Sequence, residues 1–265
     1  MKNKGLLTIL ISTVFALIII FSLFTMLAVR SVNVDFSVYG VGAKYTNDIK
    51  EDLKVYNGKN LIFTDLDDIR AGLDKYTYFE VVSIKKDFPN KINVKLKERI
   101  AKYVVCYEDN KYLVASDGFV LEYFPATADL SAYMQIDASK VSGNEFCISK
   151  PIVGKYLTAN FSDVLSKVIA VSDEYALTDF VLGAEVFSYK SHDGNYGDMS
   201  RLVLYTKTGV EIHLNDFLVK TYEKTQMAIT SYNNEGDYIK ANRFIEVSEL
   251  TDGTLHVEST ENDPW

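Results

Sequence analysis

From Gly5 to Val29 the chain carries no charged residue, and Leu, Ile, Val, Phe, Ala and Met dominate the run. A helix of roughly 20 apolar residues crosses the hydrocarbon core of a bilayer, so this segment spans with some tilt. A cleaved signal peptide would hold an apolar stretch of about 7–15 residues before a small-x-small site. This run is longer and ends in Leu27-Ala28-Val29-Arg30, so it reads as an uncleaved anchor. A soluble buried helix suits it less, since every face would be apolar. Lys2 and Lys4 precede the run and Arg30 follows it. A four-residue basic tail (1–4) and a long folded remainder favour a cytoplasmic N-terminus, with the bulk outside.

Beyond the span the chain is acidic. The whole sequence holds 28 Lys plus Arg against 36 Asp plus Glu, a net charge of −8. Phosphate binding needs clustered positive charge, so nucleic acid is excluded as a partner class. Cys106 and Cys147 show no metal-ligand spacing and read as separate thiols packed as small hydrophobes, with a disulfide in an oxidising compartment as the alternative.

Residues 32–39 alternate. Val32, Val34, Phe36 and Val38 share one face of a strand that Gly40 and Gly42 end. Ile49, Leu53 and Tyr56 stripe a short helix closed by Asn57-Gly58. Leu66, Ile69 and Leu73 stripe a second, capped by Thr64 or Asp65. Strands follow at Phe79–Lys86 and Lys91–Arg99, with Ile92, Val94 and Leu96 on the apolar face. Strand, helix, helix, strand, strand makes a unit in which two helices cover one face of a small sheet. The acids Asp65, Asp67 and Asp68 lack the Gly and Glu positions of an EF-hand loop and are read as helix capping. Lys91, Lys95, Lys97 and Arg99 read as a solvated strand face.

These residues resemble the FtsQ/DivIB cell-division family. The likeness runs from Val34 to Arg99 as a polypeptide-transport-associated (POTRA) domain. It rests on the valine-rich strand ending in Gly40, on Gly58-Lys59-Asn60-Leu61, on Phe79-Glu80-Val81-Val82, and on Phe88-Pro89 through Ile92 to the pair Glu98-Arg99. Ile100 stands where many members have proline. Downstream, Tyr112-Leu113-Val114 and Asp117-Gly118-Phe119-Val120-Leu121 resemble the opening of the family's β domain. The resemblance implies an α+β architecture: a tail (1–4), a transmembrane helix (5–29), a POTRA domain (32–101), a mostly antiparallel β domain with two helices (103–258) and a flexible tail (259–265).

Read from its own residues, the second unit holds three hairpins. They turn at Ser116-Asp117-Gly118, Thr208-Gly209 and Asp252-Gly253, where Gly supplies positive φ. Phe161, Leu165, Val168 and Ile169 stripe one helix. Leu218, Tyr222, Thr225 and Ile229 stripe another, capped by Asn215 or Asp216. Residues 187–200 read as a long exposed loop. His192, His213 and His256 accompany no nucleophile signature, and no GxSxG, HExxH, GxxxxGK[ST] or GxGxxG occurs. No catalytic, metal or cofactor site is expected.

The family resemblance implies a non-enzymatic divisome scaffold in a bacterial cell membrane at the division septum. It would hold DivIC/FtsB-like and FtsL-like membrane proteins and help regulate septal wall synthesis; the bilayer is the other partner, through the N-terminal helix. An extracytoplasmic wall-acting enzyme or sensor is the competing reading. The resemblance further puts the partner surface on the terminal strands, Phe244 to Val257. Strand parity turns Ile245 and Val247 to the core and leaves Phe244, Glu246 and Ser248 on the opposite face. The alternative is that Phe244 covers a helix within the domain. Residues 160–265 hold 8 basic and 18 acidic side chains, a net of −10, which steers a basic partner to this end. The topology has a direct check. Protease added outside intact wall-less cells should digest the chain beyond about residue 40 and spare the span; protection of the large domain would refute it.

Overall fold

The computed structural model describes residues 2–140, 147–158, 174, 181–189, 199–234 and 244–261. The chain forms two compact units, residues 1–100 and 101–265.

The first unit opens with α1 (Lys2–Met26), followed by β1 (Ser31–Ser37), α2 (Thr46–Leu53), α3 (Leu66–Leu73), β2 (Phe79–Asp87) and β3 (Lys91–Glu98). In α1 the side chains described, from Leu10 to Ser22 and from Phe24 to Met26, are exposed. Among the described residues no helix is long and apolar enough to cross a membrane. The helix also stops three residues short of the expected Val29. Val29 is only 2% exposed and belongs to the domain beyond.

The sheet order is β1-β3-β2. β1 runs parallel to β3, from Ser31 beside Lys91 to Ser37 beside Lys97, and β2 runs antiparallel to β3 on its other side. The expected alternation holds: Ile92, Val94 and Leu96 are buried, while Lys91, Lys95 and Lys97 are exposed. Ile49 and Leu53 from α2, and Ile69 and Leu73 from α3, complete the core. Asp65 is the N-cap of α3, its Oδ1 accepting from the Asp67 amide at 2.9 Å.

Glu98 continues the buried face of β3, two residues beyond Leu96, and is 5% exposed. Its carboxylate accepts three backbone N–H groups from the loop after β1: Tyr39 at 2.5 Å, Gly40 at 2.8 Å and Gly42 at 2.5 Å. Gly42 is required by that approach, because a Cβ there would lie 2.9 Å from Glu98 Cδ and from the Phe79 ring. Arg99 fastens the same corner, its backbone N–H donating to the Tyr78 carbonyl at 2.8 Å and its guanidinium to that of Phe79.

Among the described residues the second unit is built on a nine-stranded sheet. Its strands are β4 (Ala101–Tyr107), β5 (Asn110–Ala115), β6 (Val120–Pro125), β7 (Met134–Asp137), β8 (Val181–Tyr189), β9 (Met199–Thr206), β10 (Glu211–Asn215), β11 (Phe244–Glu249) and β12 (Leu255–Thr260). They lie in the order β12-β11-β10-β9-β8-β7-β4-β5-β6. All three expected hairpins form, with Gly118, Gly209 and Gly253 at φ of 84°, 84° and 83°. The sheet is mixed rather than simply antiparallel, since β4–β7, β7–β8 and β10–β11 pair in parallel.

The helix α4 (Thr221–Asn234) packs Ala228, Ile229 and Tyr232 against Ile212, Leu214, Ile245 and Val247. It begins five residues after Asp216, so neither Asn215 nor Asp216 caps it, and Leu218 is 43% exposed outside its stripe. The helix expected around Phe161 to Ile169 lies outside the described residues. Of the loop expected at 187–200, residues 187–189 and 199–200 are strand, and 190–198 lie outside the description.

Replacing Glu98 with Gln keeps the shape but removes the charge that three amides share. A loss of about 1.5–3 kcal/mol in a soluble fragment beginning near Ser31, read by urea denaturation, is the expected outcome. An unchanged midpoint would show that the carboxylate is not what holds the loop.

Candidate partner-binding surface

The terminal hairpin is fixed by two lysines. Lys224, 0% exposed in the first turn of α4, donates to the carbonyls of Asn215 and Asp216 at 2.8 Å each. Burial pushes its ammonium pKa down, with Asp216 and Glu249 opposing. These bonds tie the helix start to the end of β10. Lys220 bridges the Glu249 carboxylate at 2.8 Å and the Gly253 carbonyl at 2.6 Å, so it grips both ends of the β11–β12 turn. Within that turn Asp252 accepts from the Thr254 hydroxyl and amide, which holds its carboxyl below the ordinary carboxylate range.

The expected parity of β11 is correct, and the expected exposure of Phe244 is not. Ile245 and Val247 are fully buried on the α4 side, and Phe244, Glu246 and Ser248 share the other face. Phe244, however, is 3% exposed and meets the His213 ring edge-on at 5.5 Å. It is packed inside the unit, though not against α4. Glu246 and Ser248 are half-buried, and Glu246 accepts a hydrogen bond from the Asn215 side-chain amide. β11 is also an interior strand, parallel to β10 on one side and antiparallel to β12 on the other.

Among the described residues the sheet therefore ends at β12. On the outer face of the hairpin, Phe244 lies opposite Thr260, Glu246 opposite Glu258, and Ser248 opposite His256. Two carboxylates directly across an antiparallel pair repel each other unless a cation lies near. Glu258 and His256 are exposed. On the other face, half-buried Leu255 and Val257 and the α4 residues Glu223, Met227 and Ser231 line an open groove of about 470 Å³. A strand at the end of the sheet order, an acidic pair on one face and an apolar groove on the other can accept a further strand of basic character.

Of the histidines, His213 is 2% exposed with Nε2 3.2 Å from Glu211, His256 is exposed on β12, and His192 lies outside the described residues. No disulfide joins Cys106, half-buried beside Gln135, to Cys147, which is exposed. Burial raises the Cys106 thiol pKa. Sequence reasoning missed the place of β12 at the end of the sheet and the Glu246–Glu258 pairing. The register across Asp252-Gly253 was the available signal for the second.

Residues 37–99 match the POTRA domain of the FtsQ type. The chain is 28% identical over 92 residues to the cell division protein DivIB of Clostridium tetani, covering 33% of this chain and 35% of that protein. It is 30% identical over 74 residues to the DivIB of Clostridium botulinum, covering 28% and 29%. The matched segment thus spans about a third of the length of these relatives.

The burial of Phe244 has a measurable consequence. Phe244→Ala should cost about 3–5 kcal/mol of stability, whereas Ser248→Ala should fall within roughly 0.5 kcal/mol. Thermal melts of the soluble fragment check this, and a neutral Phe244→Ala would restore it as an outward contact.

Proposed function

We propose that this chain, supported as a member of the FtsQ/DivIB family by its FtsQ-type POTRA domain and its DivIB relatives, serves in bacterial cell division as a membrane-anchored, non-enzymatic scaffold. In this reading α1 crosses the cytoplasmic membrane with Lys2 and Lys4 inside, and both folded units work outside, at the septum. The apolar run, uncharged from Gly5 to Val29, supports the anchor. The C-terminal unit holds the extracytoplasmic parts of DivIC/FtsB-like and FtsL-like bitopic proteins and through them helps regulate septal wall synthesis.

The observation that carries the binding mode is the position of β12 at the end of the sheet, beside a carboxylate pair with no cation across it in the strand register. A partner segment adds as a tenth strand along Leu255–Thr260. Main-chain hydrogen bonds supply affinity, the Leu255–Val257 groove supplies side-chain pockets, and Lys or Arg of the partner lies against Glu246 and Glu258. The site therefore moves from the outward face of β11 to β12, with Glu246 and Ser248 retained as its flank and Phe244 as its support.

Glu258→Lys separates this reading from a merely solubilising acidic surface. The new lysine faces Glu246 across the hairpin, so folding should be unharmed or slightly improved. Capture of the DivIC-like protein by the full chain in detergent should weaken about fivefold, the equivalent of roughly 1 kcal/mol. Full-strength capture by the folded variant would move the partner site off β12.

A further inference from the structure

Where α1 ends, the chain is gripped by the loop between α2 and α3. The Leu61 amide donates to the Leu27 carbonyl at 2.7 Å, Val29 to Lys59 at 2.8 Å, and Gly58 to Val29 at 2.8 Å. Arg30 donates to Asn90 in the β2–β3 turn at 2.8 Å, and Lys86 Nζ to the Ile62 carbonyl at 2.9 Å. The loop and the turn are thus held at the level where the helix stops. Both present apolar side chains to the outside: Ile62 is 51% exposed, Phe63 75% and Phe88 62%. These residues leave half or more of their surface outside the domain. Phe63 also meets Phe24 of α1, ring centroids 6.1 Å apart. An apolar groove of about 540 Å³ runs along α1 past Leu17, Phe21 and Phe24 to Ala28 and Gly58.

Phe24 fixes the depth. At 1.5 Å per residue, a hydrocarbon core of about 30 Å entered near Gly5 is left after about 20 residues, close to Phe24. A ring in contact with Phe24 then sits at the outer boundary of the acyl chains. We infer that the tip Ile62-Phe63, with Phe88 beside it, inserts into the outer interface of the bilayer, so that the POTRA domain is seated on the membrane rather than tethered above it. Exposed Arg30 and Lys59 flank the end of α1 and the loop, and exposed Lys91 follows the β2–β3 turn, all available to lipid headgroups, with Asp87 at the end of β2 and Asp65 at the start of α3 as the acids nearest in sequence. Lipid is the occupant because the patch is continuous with a helix face that only acyl chains cover. This inference rests on the reading of α1 as the membrane anchor.

The test uses the full chain in phosphatidylglycerol–phosphatidylcholine vesicles carrying brominated acyl chains. Trp265→Phe removes the single native tryptophan, and one reporter is introduced at a time: Phe63→Trp, Phe15→Trp within α1, or Tyr39→Trp at the far end of β1. Phe63→Trp should emit at shorter wavelength than Tyr39→Trp and be quenched most by bromines near the glycerol end. Phe15→Trp should be quenched most by bromines deep in the chains. Quenched Phe15→Trp with water-like, unquenched Phe63→Trp overturns the inference and leaves the anchor standing. Unquenched Phe15→Trp overturns both. Equal quenching of Tyr39→Trp and Phe63→Trp also refutes a specific seat.

Discussion

Burying a carboxylate costs several kcal/mol unless its oxygens recover in hydrogen bonds what they lose in water. Glu98 meets that condition with the three amides of Tyr39, Gly40 and Gly42, and the first unit is organised around the result. The chain leaving β1 must turn back over the sheet to start α2, and a turn there strands backbone donors away from water. Glu98 supplies the missing acceptor from the last residue of β3. The contact joins segments nearly sixty residues apart, so it forms only when β1 has found β3 in the right register. Slippage by one residue would turn Glu98 outward and orphan all three amides.

The second unit solves a related problem with cations. Lys220 and Asp216 both adopt positive φ, at 54° and 46°, on the path from β10 to α4. Left-handed backbone at non-glycine residues is unfavourable and persists where neighbouring contacts hold it. Lys224 provides two such contacts from inside the helix, donating to the carbonyls of Asn215 and Asp216. With the helix start fixed, Ala228, Ile229 and Tyr232 fall over Ile245 and Val247. β11 is then held between β10 and β12 with the helix on one face, and β12 is the end of the sheet among the described residues.

Local periodicity made much of this legible from residues alone. Alternation located β1, β2 and β3, and the three Asp/Ser/Thr-Gly turns located their hairpins, because a tight turn needs positive φ at one position. Parallel pairing left no such mark. β4, β7 and β8 come together across long stretches of chain, and Met134–Asp137 is four residues long, too short for a pattern. Glu98 was visible as part of a family motif, yet its role was not. A carboxylate at the inward parity of an amphipathic strand reads as a strand end until the amides that face it are known. At the candidate site, parity assigned Phe244 to the correct face, but parity does not say whether that face is covered. The His213 ring, thirty-one residues away on β10, covers it.

The end of α1 was misplaced because it is set by the backbone and not by hydropathy. Hydropathy sees Leu27, Ala28 and Val29 as more of the same apolar run, and helix propensity does not stop them. The last carbonyls of a helix have no partner within it, however, so a chain leaving a helix needs other donors for them. The Leu61 and Gly58 amides are those donors, and Gly58, at φ 83°, adopts the left-handed turn that brings the loop alongside. In return, Lys59 accepts from the Val29 amide. Val29 is then buried at 2% exposure, unlike the exposed side chains along the helix before it. The same three apolar residues that hydropathy gives to the membrane are thus claimed by the domain, because hydrogen bonds along their backbone decide where the helix ends.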